Sequence, residues 1–385
     1  MSGSDVAVVG AGILGLAVGR ELSRRGHRVT VLERNAEVGC EQTGHNSGVV
    51  HGGIYYAPGS LKARLCVAGA RALYEYCEAH GVPYERCGKL IVARDASELP
   101  ALDELERRGC ENGVPSLRRL SSYELREVEP HARGSSALHS PATGIVDFRR
   151  VADALAAELE GRGVAIVTGC GVSGVSLAAG RLALRHAQGE TRVRFAVFCA
   201  GLDADRLAVA AGAPPDPRIV PFRGSYLQLR PERRELVRGL IYPVPDPRLP
   251  FLGVHLSRHL DGRVSLGPNA VLWPRGPRDV VWPGTLRMAG RWWRTGLHEL
   301  RHATSRRAFA AAASDFVPAL QADDFEAGFS GVRAQAVARD GTLVDDFVVS
   351  ETERALHVRN APSPAATAAL ALARLIADRA EPRLD

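Results

Sequence analysis

A strand, a glycine-rich turn and a helix follow one another at the N-terminus, and this order restricts the possible folds more than any other feature. Residues 5–9 form a short apolar run, Gly10, Gly12 and Gly15 have G-x-G-x-x-G spacing, and residues 13–25 are helical in pattern. The first glycine permits the tight turn, the second lets the backbone approach a pyrophosphate, and the third lets the helix pack on the strand. The pattern predicts a βαβ unit that binds a dinucleotide at the N-terminus of its helix.

An acidic residue stands where this unit needs one. The second strand, predicted at 27–32, ends at Glu33, about 20 residues after the glycines, where a carboxylate is expected to accept the ribose hydroxyls. An isolated G-x-G-x-x-G can also be an ordinary glycine-rich turn. The flanking strands and Glu33 favour the dinucleotide site.

Composition excludes several classes of protein. With 385 residues, 45% hydrophobic content and 40 glycines, the chain can bury a large core and is expected to form two domains. The net charge is +6, but the arginines are dispersed and Lys62 and Lys89 are the only lysines, so nucleic-acid binding is not expected. Seven cysteines without zinc or C-x-x-C spacing predict reduced thiols in a cytoplasmic protein. We expect neither a signal peptide nor a transmembrane helix.

Residues 43–56 follow the point at which the βαβ unit would deliver the reactive ring of its cofactor. Histidines, tyrosines and an amide are crowded there among glycines, so the backbone can approach a flat ligand closely while polar groups lie beside it. This mixture is typical of a flavin site.

The rest of the sequence alternates between segments of helical periodicity and short extended segments. Helices are predicted at 60–80, 98–112, 150–161 and 364–380, and strands at 89–93, 164–168, 171–177, 181–186, 192–199 and 251–256. Prolines and extended segments become frequent from residue 214. We therefore predict an α/β protein with a Rossmann-like cofactor domain that is discontinuous in sequence, formed by 1–85, 145–213 and 327–385. An α+β substrate domain with a mainly antiparallel sheet is predicted for 86–144 and 214–326.

Several blocks together carry a family resemblance. They are residues 43–62, 87–92 (CGKLIV), 143–147 (TGIVD), 221–224 (PFRG), 241–245 (IYPVP), 266–270 (LGPNA), 331–335 (GVRAQ) and 360–367 (NAPSPAAT). With these blocks the chain resembles the L-2-hydroxyglutarate oxidase/dehydrogenase family, which lies within the D-amino-acid-oxidase-like FAD oxidoreductases. The resemblance implies a non-covalent FAD enzyme that oxidises L-2-hydroxyglutarate to 2-oxoglutarate. In such a reaction the hydride passes to flavin N5, and quinone or oxygen reoxidises the flavin.

Oxidation of a secondary alcohol needs a base. His51 is the first candidate, because a neutral imidazole titrates near working pH and this one lies among the glycines. A cofactor-packing role for His51 is the alternative. His255, on the predicted 251–256 strand, is the second candidate, and His45 is expected to contact the flavin or brace its loop.

A dicarboxylate substrate needs cations. Arg223 and Arg333, both on apolar strands, are predicted to clamp it, since guanidinium pairs with carboxylate in a bidentate way. Internal ion pairs with Asp or Glu are the alternative for both. Tyr55 and Tyr56 are expected to donate hydrogen bonds, and strand alternation would allow only one of them, Tyr56 by preference, to face the pocket. Lys89 can attract the anion from the pocket edge, or it is simply a solvated lysine.

The C-terminal block is predicted to complete the cofactor site. Ser363 is expected to cap a helix whose first turn begins at Pro364, so that free amides point at the flavin pyrimidine and stabilise negative charge there. The predicted cofactor contacts are Gly10, Gly12, Ile13, Leu14, Gly15, Glu33, Arg34, Thr43, His45, Asn46, Ser47, Gly48, Val172, Ala200, Gly201, Ser363, Pro364, Ala365, Ala366 and Thr367.

Residues 286–313 combine adjacent tryptophans with several arginines in a helical pattern. Such a helix can lie in a lipid interface, which would suit an enzyme that passes electrons to a membrane quinone from the inner face of the cell membrane. Packing of the tryptophans on the substrate domain is the alternative. Two other functions remain open. A protein of the same fold could oxidise a 2-amino acid or glycerol 3-phosphate, or it could bind FAD without catalysis.

Overall fold

The computed structural model describes residues 5–178, 180–246 and 252–384. The strands are β1 (Val6–Val9), β2 (Val29–Leu32), β3 (Val49–Val50), β4 (Tyr84–Glu85), β5 (Lys89–Ala93), β6 (Arg118–Ser121), β7 (Ser136–Ser140), β8 (Gly144–Val146), β9 (Ala165–Val167), β10 (Val172–Ala178), β11 (Arg181–His186), β12 (Gly189–Val193), β13 (Phe195–Phe198), β14 (Arg218–Leu229), β15 (Leu240–Pro243), β16 (His255–Arg258), β17 (Val264–Gly267), β18 (Val271–Leu272), β19 (Phe325–Val337), β20 (Val348–Thr352) and β21 (Ala355–Asn360). The helices are α1 (Ile13–Arg24), α2 (Leu61–His80), α3 (Leu99–Glu111), α4 (Ser122–Val128), α5 (Phe148–Gly161), α6 (Ala204–Ala210), α7 (Pro277–Val280), α8 (Pro283–Arg291), α9 (Trp293–Thr304), α10 (Arg306–Ser314) and α11 (Ala365–Ala380).

The predicted cofactor domain is built on a six-stranded sheet in the order β20-β21-β13-β1-β2-β9. Neighbours from β21 to β9 are parallel, and β20 adds an antiparallel edge. Strands β1 and β2 are buried along their whole length, as expected for parallel strands covered on both faces. Helices α1, α2, α5 and α11 supply most of the apolar side chains that pack against this sheet. The Rossmann-like prediction is confirmed.

Local signals explain where the long helix α2 begins and ends. The Ser60 side chain accepts a hydrogen bond from the Ala63 amide at the start of α2, which satisfies one of the unpaired amides of the first turn. Gly81 ends the helix with φ of 65°, a left-handed conformation that glycine adopts without strain. The helix predicted at 60–80 is therefore confirmed.

The predicted substrate domain is built on a second, larger sheet. Its strands run β18-β14-β17-β16-β15-β5-β7-β6, with β19 also paired to β14. All of these pairs are antiparallel except β15 with β5, which confirms the mainly antiparallel sheet. A small sheet in the order β3-β8-β4 brings residues 49–50 against residues 144–146.

Several predicted boundaries are wrong. Strand β19 pairs with β14 along most of its length, so residues 327–337 belong to the substrate sheet and not to the cofactor domain. The predicted 192–199 strand is divided between two sheets as β12 and β13. The predicted 286–313 helix is three helices, α8 to α10. Strand β16 begins at His255, and Phe251 lies outside the described residues. Among the helices of these ranges, none is long and apolar enough to cross a membrane.

Candidate functional site

The turn between β1 and α1 is shaped for close approach. Gly10 has φ of 104°, and a Cβ there would collide with the Cys199 carbonyl oxygen. A Cβ at Gly15 would collide with the Gly10 carbonyl oxygen. Both positions therefore require glycine, and the result is an open cradle at the N-terminus of α1 that fits a pyrophosphate.

Glu33 lies at the end of β2 beside this cradle and is buried. One carboxylate oxygen accepts a hydrogen bond from the Ala11 amide at 2.7 Å, and the other accepts from the Asn35 amide at 2.8 Å. Each oxygen keeps a second lone pair, so the carboxylate is oriented and can still accept a hydroxyl. This geometry fits the predicted ribose contact.

The Thr43 hydroxyl braces the same turn, because it accepts a hydrogen bond from the Ile13 amide at 3.0 Å. Arg34 forms ion pairs with Glu41 and Asp203 at 2.6 and 2.7 Å. The Arg34 side chain therefore ties the end of β2 to the segment that carries Ala200 and Gly201. Val172 is buried at the start of β10, and Leu14 and Ser47 lie on α1 and in the 43–48 loop.

Hydrogen bonds hold the 43–48 loop in one shape. The Asn46 amide donates to the Gln42 and Thr43 carbonyls, and its oxygen accepts from the Gly48 amide. The exposed His45 ring bonds the Glu41 carbonyl at 3.1 Å. His45 thus braces the loop, which was one of its two expected roles.

His51 follows β3 and is held by the start of α11. Its amide donates to the Thr367 hydroxyl at 3.1 Å, and its Nε2 lies 3.4 Å from the Ser363 hydroxyl. Helix α11 begins at Ala365 without a side-chain cap, so the predicted capping role of Ser363 is wrong. The Ser363 hydroxyl points instead to the imidazole.

The His51 imidazole is suited to accept a proton. Burial lowers its pKa well below the usual 6.5, and the positive charge of Lys89 lowers it further, so the ring is neutral near pH 7. Its Nδ1 is buried and has no hydrogen-bond partner among the described residues. A buried nitrogen without a partner is costly, and a ligand hydroxyl would satisfy it.

His255 lies at the start of β16, in the neighbourhood of His51. Its ring stacks on Tyr242 at 3.8 Å between centroids, and its Nδ1 donates to the Gly253 carbonyl at 2.9 Å. Burial lowers the His255 pKa to about 3, so this ring is also neutral. The two predicted catalytic histidines lie near enough for His255 to lower the pKa of His51.

Lys89 is the first residue of β5. The alternative of a solvated lysine is wrong, because Lys89 is only 2% exposed. Its ammonium lies 4.3 Å from the ring centre of Tyr55 and 4.0 Å from that of Tyr242. Burial lowers the Lys89 pKa from 10.5 to about 7. The signal in the sequence was a lysine at the start of a wholly apolar strand, in a chain with one other lysine.

Tyr55 and Tyr56 lie in turns after β3 and not on a strand, so the alternation argument for choosing one of them fails. The Tyr55 ring faces Lys89, and its buried hydroxyl has no partner in the described chain. Burial raises the Tyr56 pKa well above 10, while an interaction with the Ser363 hydroxyl opposes that rise. Both tyrosines therefore line the region around His51.

The structure does not bring Arg223 and Arg333 together. Phe222 pairs with Arg333 and Arg223 with Val332 in the β14–β19 ladder. Because directly opposed residues share a face and neighbours alternate, the two arginines project from opposite faces. The expected two-arginine clamp is therefore wrong.

The two arginines have different surroundings. Arg333 is exposed and shares its face with the buried Tyr226, whose pKa is raised by burial and lowered in part by the Arg333 charge. Arg223 donates to the Ser330 hydroxyl at 3.2 Å and lies 4.9 Å from the Trp273 ring centre. Neither forms an ion pair with Asp or Glu within the described ranges, so the internal-pair alternative does not explain them.

Helix α9 presents an unpacked apolar face. Trp293, Leu297 and Leu300 are 56%, 58% and 47% exposed, and their spacing places them on one side of a helix. Trp292 instead packs beside the buried Trp282, and Phe309 is buried. Packing on the substrate domain, the alternative to membrane contact, therefore holds for Trp292 and Phe309 but not for the exposed face of α9.

Comparison with known proteins identifies the family of the chain. Residues 5–379 match the DAO family model, described as FAD dependent oxidoreductase. The chain is 45% identical to mitochondrial L-2-hydroxyglutarate dehydrogenase of Nematostella vectensis, over 98% of this chain and 91% of that protein. It is 43% identical to the mitochondrial human protein of that name, over 100% and 90% of the two chains. It is 40% identical to L-2-hydroxyglutarate dehydrogenase of Indibacter alkaliphilus, over 96% of each.

Solved structures show the same fold at lower identity. L-alpha-glycerophosphate oxidase of Mycoplasma pneumoniae with FAD bound superposes with a TM-score of 0.82 at 24% identity, over 100% of this chain and 95% of that one. Glycine oxidase of Bacillus cereus superposes with a TM-score of 0.74 at 17% identity, over 99% and 95%. These similarities extend over nearly the whole length of both chains.

Proposed function

The chain belongs to the DAO family of FAD-dependent oxidoreductases, and from this premise we propose that it oxidises L-2-hydroxyglutarate to 2-oxoglutarate. The main support for this proposal is the His51 imidazole, which is neutral and whose buried Nδ1 has no hydrogen-bond partner among the described residues. Two cations, Lys89 and Arg333, lie in the same region. A 2-hydroxy dicarboxylate offers one hydroxyl for the imidazole and two negative charges for the cations. The relatives of highest similarity reported above carry the name of this activity.

The cofactor would be held by the Gly10–Gly15 turn, by Glu33 and by the 43–48 loop, with the start of α11 against the ring system. Bound FAD would supply the acceptor for the hydride that leaves C2, at flavin N5. We propose that FAD is non-covalent and that quinone or oxygen reoxidises it.

The chain's own residues perform the remaining steps. His51 takes the proton of the substrate hydroxyl, because its imidazole is neutral and its Nδ1 has no competing partner among the described residues. Its position is fixed through the backbone by Thr367. Arg333 binds a carboxylate beside the Tyr226 hydroxyl, and Tyr55 donates a hydrogen bond from a phenol that burial keeps protonated. His255 is the second candidate for the base.

Anaerobic mixing of the holoenzyme with single compounds tests this proposal. L-2-Hydroxyglutarate should bleach the flavin absorbance, whereas D-2-hydroxyglutarate, L-glutamate and glycerol 3-phosphate should bleach it far more slowly. Rapid bleaching by glycerol 3-phosphate or an amino acid, with none by L-2-hydroxyglutarate, would show that the proposed substrate is wrong and that the other compound is oxidised instead. No bleaching by any compound would favour a non-catalytic FAD-binding protein.

We also propose that the exposed face of α9 contacts an anionic membrane surface. Trp293, Leu297 and Leu300 supply the apolar side, and Arg294 and Arg301 supply positive charge on the same helix. Aromatic and aliphatic side chains next to arginines are the composition of helices that lie in a lipid interface. Such contact would bring the reduced flavin near a membrane quinone.

Sedimentation with anionic phosphatidylglycerol vesicles at low salt tests the membrane contact. The Trp293→Ser, Leu297→Ser double variant should bind at least about tenfold more weakly. Leu177→Ser is the matched control, because Leu177 is 58% exposed but lies on β10. Equal sedimentation of the double variant and the control would remove α9 from any membrane role.

A further inference from the structure

Lys89 is a buried lysine whose amine has aromatic neighbours. Its backbone lies in the middle of the large sheet, where β5 pairs with β7 and β15. The ammonium contacts the faces of Tyr55 and Tyr242. In the part of the chain that the structure describes, no carboxylate forms an ion pair with it. Burial is the main cause of its lowered pKa, and the nearby Cys66 thiol, which is itself buried, opposes the lowering.

The other lysine of the chain shows what a satisfied buried lysine looks like here. Lys62 is also largely buried, but its ammonium reaches the Asp345 carboxylate at 2.7 Å. Asp345 lies at the surface, so this pair needs no ligand. Lys89 differs from Lys62 because its ammonium has no carboxylate partner among the described residues.

A buried charge without a partner is unfavourable, and the tyrosine faces return only part of the lost hydration. Proteins keep such a group where a ligand supplies the missing charge. The buried hydroxyl of Tyr55 and Nδ1 of His51, both unpaired in the described ranges, lie in the same region. Lys89, Tyr55 and His51 therefore place one amine and two unpaired polar atoms of the described residues close together.

The charge of a second cation, Arg333, acts on the Tyr242 and His255 rings. Tyr242 contacts Lys89 on one side and stacks on His255. Burial raises the Tyr242 pKa and lowers the His255 pKa, and the positive charge of Arg333 contributes a lowering to both. Lys89 contacts the Tyr242 ring, and the Arg333 charge acts on both members of the Tyr242–His255 stack, so two cations lie close enough to serve a molecule with two anionic ends.

We propose that Lys89 binds one carboxylate of the substrate and Arg333 binds the other, so that Lys89 selects dicarboxylates. This inference rests on the proposed function for the identity of the substrate. It replaces the pairing of Arg223 with Arg333, which the β14–β19 register does not allow. Lys89 contacts the substrate and is therefore a specificity-determining residue of the site.

Equilibrium binding to the oxidised holoenzyme tests the proposal without turnover. Glutarate and butyrate, which differ by one carboxylate and carry no hydroxyl to oxidise, are titrated while the flavin absorbance spectrum is followed. In the wild type, glutarate should bind more tightly than butyrate. Lys89→Met should weaken glutarate binding about 100-fold, the loss expected for one charged hydrogen-bonded contact. Butyrate should change by less than about threefold, because Arg333 can still bind it.

Lys62→Met is the matched control, since it removes the other buried ammonium, and it should leave the ratio of the two affinities unchanged. If Lys89→Met does not retain FAD, Lys89→Gln and Lys89→Arg are measured in the same way, and only the arginine should keep a preference for glutarate. An unchanged affinity ratio in Lys89→Met or Lys89→Gln, or a wild type without preference for glutarate, overturns the proposal. A wild type that prefers glutarate through Lys89 but does not oxidise L-2-hydroxyglutarate would overturn only the proposed function.

Discussion

Replacement of Lys89 by methionine should stabilise the substrate-free enzyme. Lys89 is 2% exposed, and its pKa is lowered from 10.5 to about 7 by burial. That lowering corresponds to about 5 kcal/mol of unfavourable free energy for the charged form in the folded state. Methionine has a similar length, fills the same volume and carries no charge, so the variant avoids this term. Relaxation around the ammonium reduces the effect, and we expect a gain of about 1–3 kcal/mol.

The pH dependence identifies the cause. The folded state binds fewer protons at Lys89 than the unfolded state does between pH 7 and pH 10.5, so the penalty is fully present below pH 7 and fades as pH rises towards 10.5. The stability advantage of the methionine variant over the wild type should therefore be largest near pH 6–7. It should shrink as the pH is raised through 9.

Scanning calorimetry or flavin fluorescence on the holoenzymes provides the assay. At neutral pH the apparent Tm of Lys89→Met should rise by about 1–4 °C, and Lys62→Met should show no rise, because the Lys62 ammonium already has Asp345. Saturating glutarate should reverse the order, since it stabilises only the protein that binds it well. A variant that keeps its FAD but melts at or below the wild-type temperature at neutral pH would refute the reasoning.

Three further predictions concern the site. His51→Ala should slow flavin reduction by about 10²–10⁴-fold while FAD stays bound, as stopped-flow absorbance would show; a rate within threefold of the wild type would move the base to His255. Arg333→Met should raise the KM for L-2-hydroxyglutarate about 100-fold, whereas Arg223→Met, on the opposite face of the ladder, should raise it by less than about threefold. Steady-state kinetics with a dye acceptor compares the two, and equal effects would contradict the assignment. Acid precipitation should release all FAD into the supernatant, and flavin retained in the pellet would contradict non-covalent binding.

Much of the cofactor domain could be predicted from local signals. Gly10 and Gly15 shape the turn after β1, and Glu33 follows β2. These roles can be recognised from sequence spacing, without knowledge of contacts between distant residues. The antiparallel character of the substrate sheet was also predictable from short extended segments. Its register was not, because one residue of shift moves a side chain to the other face. The failed pairing of Arg223 with Arg333 is a consequence of that register.

The role of Lys89 depends on contacts between residues that are far apart in sequence. Tyr55 and Tyr242 reach its ammonium from a loop and from another strand, and no periodicity of the chain reveals this. The same is true of His51, whose amide and ring meet Thr367 and Ser363 more than 300 residues later. The local sequence predicted that Ser363 caps a helix, whereas in the structure its hydroxyl lies beside the His51 imidazole.

Anaerobic titration of the oxidised holoenzyme with L-2-hydroxyglutarate, with the product identified, tests the central claim most directly. The account predicts that each equivalent of L-2-hydroxyglutarate reduces one equivalent of flavin and yields one equivalent of 2-oxoglutarate. Flavin that stays oxidised in the presence of excess L-2-hydroxyglutarate, or that is reduced without formation of 2-oxoglutarate, would contradict it.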